Sequence, residues 1–217
     1  MSMINEFNIK DLPENSNICI LGEKNDDENR VRDKLTKSIL NRYVDQRKII
    51  ICSTIELGKS YACDLCDVEL YDNNANQIIT NLLEVQKKKK LEICDKKNIK
   101  NVTLIIDDDI INSIETKLLQ EIIFYSRHYK ITLIFIMSCH VSIKKHFYLR
   151  GNIDYVFLLE KSESKQRDIW PFYTYINLCF DEFFSLSSEA INSDHAIVVK
   201  LNYPFDEILS FDFHKDT

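Results

Sequence analysis

The 217-residue chain is poor in glycine and proline, with three of each, and it has a single tryptophan. Isoleucine (30) and asparagine (18) are abundant instead, the skew of an AT-rich genome. No long apolar run is present. The strongest, Ile131 to Met137, is far shorter than the ~20 residues that cross a bilayer, which excludes a membrane span. Residues Met1 to Phe7 lack the basic region and apolar core of a secretory signal. There is no excess of basic charge either. A net charge of −6 and a pI near 5.4 exclude nucleic-acid binding by bulk charge, leaving a local patch or an assembly. The seven cysteines are odd in number and lie mostly in apolar runs, so they read as small hydrophobes of a reducing compartment.

What is present is globular: 45% hydrophobic and 29% charged residues, enough to bury a core without a disulfide or metal. Short apolar runs alternate with longer helical patterns. Strands are expected at 18–21, 48–53, 102–106, 131–137, 155–159 and 196–201, the last at a sheet edge. Helices are expected where Val31, Leu35 and Ile39 recur, where Ile78/Ile79 and Leu82/Leu83 lead into Lys87–Lys90, and at Leu118/Leu119 with Ile122/Ile123. The aromatic segment 170–184 is expected to pack as a further helix, and 58–76 as irregular chain. Strands that read as continuous apolar runs are buried on both faces, with helices as crossovers. The expected fold class is therefore α/β with a mostly parallel central sheet flanked by helices.

Ligands of parallel sheets sit at the carboxyl ends of the strands. After the first strand comes Gly22-Glu23-Lys24-Asn25-Asp26-Asp27-Glu28-Asn29, after the third Asp107-Asp108-Asp109, and after the fourth Ser138-Cys139-His140. An apolar strand ending in Asp and a second acid has the form of a Walker B element, with one carboxylate for Mg²⁺ and one near the attacking water.

The blocks "NVTLIIDDDI", "EIIFYSRHYKITLIFIMSCH" and "FYLRGNIDYVFLLEK" together resemble the DNA-packaging ATPases of poxviruses and giant viruses, in the FtsK/HerA superfamily. The shared order is Walker B at Asp107/Asp108, a helix, Arg127-His128, an apolar strand with a sensor at His140, then Leu149-Arg150-Gly151-Asn152-Ile153-Asp154-Tyr155. The resemblance spans about 17 to 200. It implies a RecA-like P-loop NTPase domain over 17–202, with an N-terminal extension over 1–16 and an acidic tail over 203–217. It further implies ATP and Mg²⁺ as ligands, with Asp107 on the metal and Asp107, Asp108, His140 and Arg150 as the catalytic set. The implied assembly is a ring, as homo- or hetero-oligomer, acting on double-stranded DNA, with an active paralogue or capsid proteins as partners. The implied location is the host cytoplasm, in a viral factory, or the virion.

The phosphate loop departs from that pattern. Aligned on Gly22, the consensus G-x-x-x-x-G-K-[ST] has Asp27 for its second glycine, Glu28 for its lysine and Asn29 for its hydroxyl residue. Glu23, Asp26, Asp27 and Glu28 against Lys24 and Arg30 leave the loop at net −2. A like charge at 4 Å costs ~4 kcal/mol at an effective dielectric near 20, and each ~1.4 kcal/mol is tenfold in affinity. The degenerate loop Gly22, Lys24, Asp27, Glu28, Asn29 therefore predicts weak or absent nucleotide binding, a pseudo-ATPase in which the fold outlasts the chemistry. Against this stands an active motor that grips phosphate through Lys24, Arg30 or Lys59. The family's sensor is usually glutamine, and His140 replaces it.

Three other features are read structurally. Ser53-x-x-x-x-Gly58-Lys59-Ser60 is one residue from a P-loop, but a true one opens a helix at Lys59 and none is expected there. Cys63-x-x-Cys66 has half-zinc spacing without a second pair, so two reduced cysteines are expected. Lys87–Lys90, with Lys96, Lys97 and Lys100, reads as a solvated helix end. Arg127 and Arg150 are expected to brace Asp107–Asp109 or Asp154, and His128 to pack partly buried.

Overall fold

In a computed structural model, residues 4–22, 26–43, 48–54, 58–60, 68–92, 100–137, 151–170, 178–192, 195–201 and 206–213 are described. The elements in chain order are β1 (Asn5–Glu6), β2 (Asn17–Leu21), α1 (Asp26–Tyr43), β3 (Lys48–Cys52), β4 (Val68–Tyr71), α2 (Ala75–Glu92), β5 (Val102–Asp107), α3 (Asp108–Ile111), α4 (Thr116–Tyr125), β6 (Ile131–Met137), β7 (Tyr155–Leu158), α5 (Glu163–Ile169), α6 (Phe180–Asn192), β8 (His195–Lys200) and β9 (Glu207–Asp212). They fall into two compact units. One comprises Met1–Leu12, Ile18–Ile39 and Met137–Thr217, the other Pro13–Asn17 and Leu40–Ile136.

In the first unit β2 pairs with β7 in parallel, Ile18 opposite Tyr155 through Leu21 opposite Leu158. β8 lies antiparallel between β7 and β9, and β1 closes the row in parallel on β9. In the second unit β3 pairs in parallel with both β4 and β5, and β5 with β6. Pairing in the second unit is wholly parallel and in the first it is mixed, so the strands as a set are mostly parallel, as expected. The apolar runs explain it: every residue of β2, β5 and β6 is buried, which only a strand covered on both faces permits. The helices present one apolar stripe each. On α2 it is Ala75, Ile79, Leu82, Leu83 and Gln86, and on α4 Leu119, Ile122 and Ile123.

Four expectations need correction. β8 is not an edge strand, because residues of the C-terminal segment supply β9 beside it, with Phe211 edge-on to Phe157 at 6.3 Å. β9 is half-buried and short, which gives its sequence no clear period. The stretch 58–76 is not wholly irregular: 58–60 are helical and Val68–Tyr71 forms β4. The aromatic segment is not one helix from Trp170. The helix α5 ends at Ile169, immediately ahead of Trp170 and Pro171, and α6 opens only at Phe180. Finally, α1 begins at Asp26, five residues before the first apolar position of its repeat.

Among the described residues, no helix is long and apolar enough to cross a membrane.

Candidate functional site

The end of β5 is the better-built part. The strand runs one residue further than its apolar pattern and ends on Asp107, which is 0% exposed. Asp108 and Asp109 open α3, the first half-buried and the second exposed. A buried carboxylate needs donors, because desolvating it unpaired costs several kcal/mol. Ser53 supplies one: its hydroxyl donates to Asp107 Oδ2 at 3.2 Å, and both residues are buried. The β3–β5 register, with Cys52 opposite Ile106, brings the next residue of each strand together. Ser53 is itself held by its amide, which donates to the Tyr71 carbonyl at 3.0 Å. Carboxylate and hydroxyl oxygens are the ligand type a hard divalent cation takes, usually with several waters retained. No group of three or more metal-ligating side chains occurs among the described residues. Cys52, one residue before Ser53, has its thiol pushed up to about 12 by burial. It is a packing residue, not a nucleophile.

Ser53 was visible in the sequence only as the first position of a false P-loop. Its partnership with Asp107 joins residues 54 apart, and no local pattern announces it.

The end of β2 is built differently. The Gly22 amide donates to the Met137 carbonyl at 3.1 Å, and Leu159 N–H donates to the Leu21 carbonyl at 2.7 Å. A Cβ on Gly22 would stand 3.0 Å from Leu159 Cβ. Packing alone therefore favours glycine there. Asp27, Glu28 and Asn29 fall in the first turn of α1, where carboxylates complement the positive end of the helix dipole. Lys24 lies outside the described residues. Further along α1, Arg32 is fully buried with Leu35, Thr36, Ile39 and Leu40. Its place in the i, i+3, i+4, i+7 series with Leu35, Thr36 and Ile39 was legible, though a charged residue there was passed over.

His140 and Arg150 lie outside the described residues, as do Cys63, Cys66, Cys94 and Cys139. Arg127 and His128 are both exposed, in a 3₁₀ turn over Arg127–Tyr129, so His128 is not the partly buried packing residue expected. The reason is local. Lys130 takes a left-handed conformation (φ 57°) and turns the chain at once into β6, leaving the turn at the surface. The second correction concerns Gly58-Lys59-Ser60. These residues are helical, with the Gly58 amide donating to the Thr54 carbonyl at 2.8 Å. Yet the glycine serves packing here too, since a Cβ on it would come within 3.3 Å of Leu70 Cδ2.

No family model and no curated protein matches the chain. Solved structures do. The genome packaging NTPase B204 of Sulfolobus turreted icosahedral virus 2, in complex with ATP-gammaS, superposes with a TM-score of 0.56 at 14% identity, over 91% of this chain and 98% of its own. The B204 DNA-packaging ATPase of Sulfolobus turreted icosahedral virus gives the same values. ATPases 2 and 3 of EssC from Geobacillus thermodenitrificans give a TM-score of 0.55 at 13% identity, over 92% of this chain and 40% of that one. The chain thus has a P-loop NTPase fold, the one its late motifs implied.

Proposed function

We propose that this chain is a viral genome-packaging ATPase-like protein of a large DNA virus in which nucleotide chemistry is degenerate. It acts in virion assembly or DNA packaging as a structural or partner subunit of an oligomer, in the infected cytoplasm or the virion. One observation carries the reading. At the end of β2 the single glycine present is the one that packing against Leu159 requires, while the three positions that would grip phosphate and Mg²⁺ carry Asp27, Glu28 and Asn29. Exchanging Lys for Glu replaces an attraction by a repulsion of ~4 kcal/mol at 4 Å. The similar B204 structure with ATP-gammaS supports the architecture from which such a site would have decayed.

A second reading, an active motor with an unorthodox phosphate grip, is favoured by the buried Asp107–Ser53 pair, which supplies the oxygen ligands a magnesium ion takes. Titration calorimetry of Mg²⁺–ATP on the intact chain separates the two. The degenerate subunit shows no heat of binding up to millimolar nucleotide. Micromolar binding overturns it and installs the motor, in which Asp108→Asn then abolishes DNA-stimulated hydrolysis.

A further inference from the structure

The end of α2 and the turn after α4 build a surface that neither reading uses. Four consecutive lysines, Lys87 to Lys90, occupy the last turns of α2. Two of them converge on one ring: the ammonium groups of Lys87 and Lys90 lie 5.8 Å and 5.4 Å from the Tyr129 centroid. Lys87 is held there by an ion pair with Glu121 of α4. Beyond Tyr129 the rings continue. Tyr125 stands 6.2 Å from Tyr129 and 6.2 Å from His128, tilted about midway between stacked and edge-on to each. Tyr125 is 47% exposed, and His128 is exposed as well.

Three features separate this strip from an ordinary solvated helix end. Lysines on such an end need no aromatic neighbours, yet here three rings run in a row beside them. Large apolar side chains are exposed on the same two helices, Leu91 (86%) one turn after Lys87 and Phe124 (46%) next to Tyr125 in the chain. The charge also runs against the rest of the molecule. Lys87, Lys88, Lys89, Lys90, Arg127 and Lys130 outnumber Glu84, Glu92 and Glu121 in the same stretches of sequence, in a protein of net charge −6.

Cations select a polyanion. Exposed rings at base-sized intervals select one whose π-faces are free, and a duplex hides its bases in its own stack. We infer that the Lys87–Lys90 and Tyr125–Tyr129 strip binds single-stranded nucleic acid, with phosphates on the lysines and one or two bases stacked on Tyr125 and its neighbours. This site is independent of the nucleotide site and stands whether or not ATP binds.

The test is fluorescence anisotropy of the intact chain with a labelled oligothymidylate of about 16 nucleotides, the upper site size of one stacking platform, and with its duplex. The single strand binds roughly tenfold or more tightly than the duplex, with an affinity that falls between about 50 and about 200 mM salt. Tyr125→Ala weakens the single strand by roughly five- to a hundredfold, the range for one lost base stack, and Tyr125→Phe restores it. Joint Lys88→Glu and Lys89→Glu substitution weakens binding and lowers the log–log salt slope by about 1.4, the contribution of two phosphates. Lys88 is 76% exposed and Tyr125 nearly half so, which keeps the fold out of the comparison. Absence of binding at the lower salt overturns the inference. So does equal binding of the duplex with Tyr125→Ala unchanged, which would leave only backbone charge. Full displacement by polyglutamate at matched charge would assign the strip to an acidic protein instead.

Discussion

The carboxyl ends of β2 and β5 share a plan, an apolar strand running into a helix, and differ in what holds their polar residues. At β5 the acid Asp107 is inside, accepting from Ser53 and surrounded by strand residues that are themselves buried. At β2 the phosphate-loop positions Asp27, Glu28 and Asn29 fall in the first turn of a helix, while Gly22 packs against Leu159. A side chain fixed by the core persists because changing it costs stability. One that serves only a ligand is free to change once the ligand is gone. On the proposed reading, this contrast lets a Walker B-like end outlast a phosphate loop that departs from its consensus.

The strongest way to break that contrast is to repair the loop. Asp27→Gly, Glu28→Lys and Asn29→Thr together should raise Mg²⁺–ATP affinity by about a thousandfold or more, the equivalent of removing ~4 kcal/mol of repulsion. Calorimetry reads it directly, and an unchanged titration would place the decay beyond the loop. Glycine at a helical position costs about 1 kcal/mol in itself, so urea denaturation of the triple variant should show a loss of roughly that size. At the other end the sensitivity reverses. Asp107→Ala leaves the Ser53 hydroxyl buried without its acceptor and should cost about 1–3 kcal/mol in urea denaturation, with no nucleotide present. A neutral result would mean that Asp107 is not a structural residue.

Gly22→Ala sharpens the comparison from within the loop itself. Its new methyl meets Leu159 at 3.0 Å, so the expected penalty is about 1–3 kcal/mol, or roughly 2–4 °C in Tm per kcal/mol. An unaltered Tm would remove the packing explanation for that glycine. The smallest effect is a pH dependence at the buried end. Cys52 has its thiol raised from 9.0 to about 12, so above pH 9 the unfolded chain loses a proton that the folded chain keeps. Stability present below pH 9 therefore declines as pH rises toward 12, by about 1.4 kcal/mol per unit at most. Comparing urea midpoints at pH 8 and 10 should show a shallower decline in Cys52→Val, and parallel slopes would sink the assignment.

Much of this was legible in the residues. The uninterrupted apolar runs at Ile18–Leu21, Val102–Ile106 and Ile131–Met137 encode burial on both faces and so a mostly parallel sheet. The four-residue spacing of Leu35 with Ile39 and of Ile79 with Leu83 marks helix faces. The departure of Asp27, Glu28 and Asn29 from the phosphate-loop consensus is read without any coordinates. Less legible was the helical turn at 58–60, rejected because Tyr61 to Cys66 shows no helical period, although Gly58 packs on Leu70 regardless. Also hidden was β9, whose half-buried residues alternate too weakly to stand out, and the exposure of His128, which depends on the left-handed Lys130 ending its turn.

By itself, then, the sequence determined the elements that repeat, the faces they bury, and the charge at each strand end, because periodicity and side-chain chemistry act over a few neighbouring residues. Only the tertiary structure decided that Ser53 meets Asp107, that Leu159 crowds Gly22, and that Lys87 and Lys90 converge on Tyr129. Those contacts join residues far apart in the chain, and they follow from strand register and helix packing, which no local window of sequence contains.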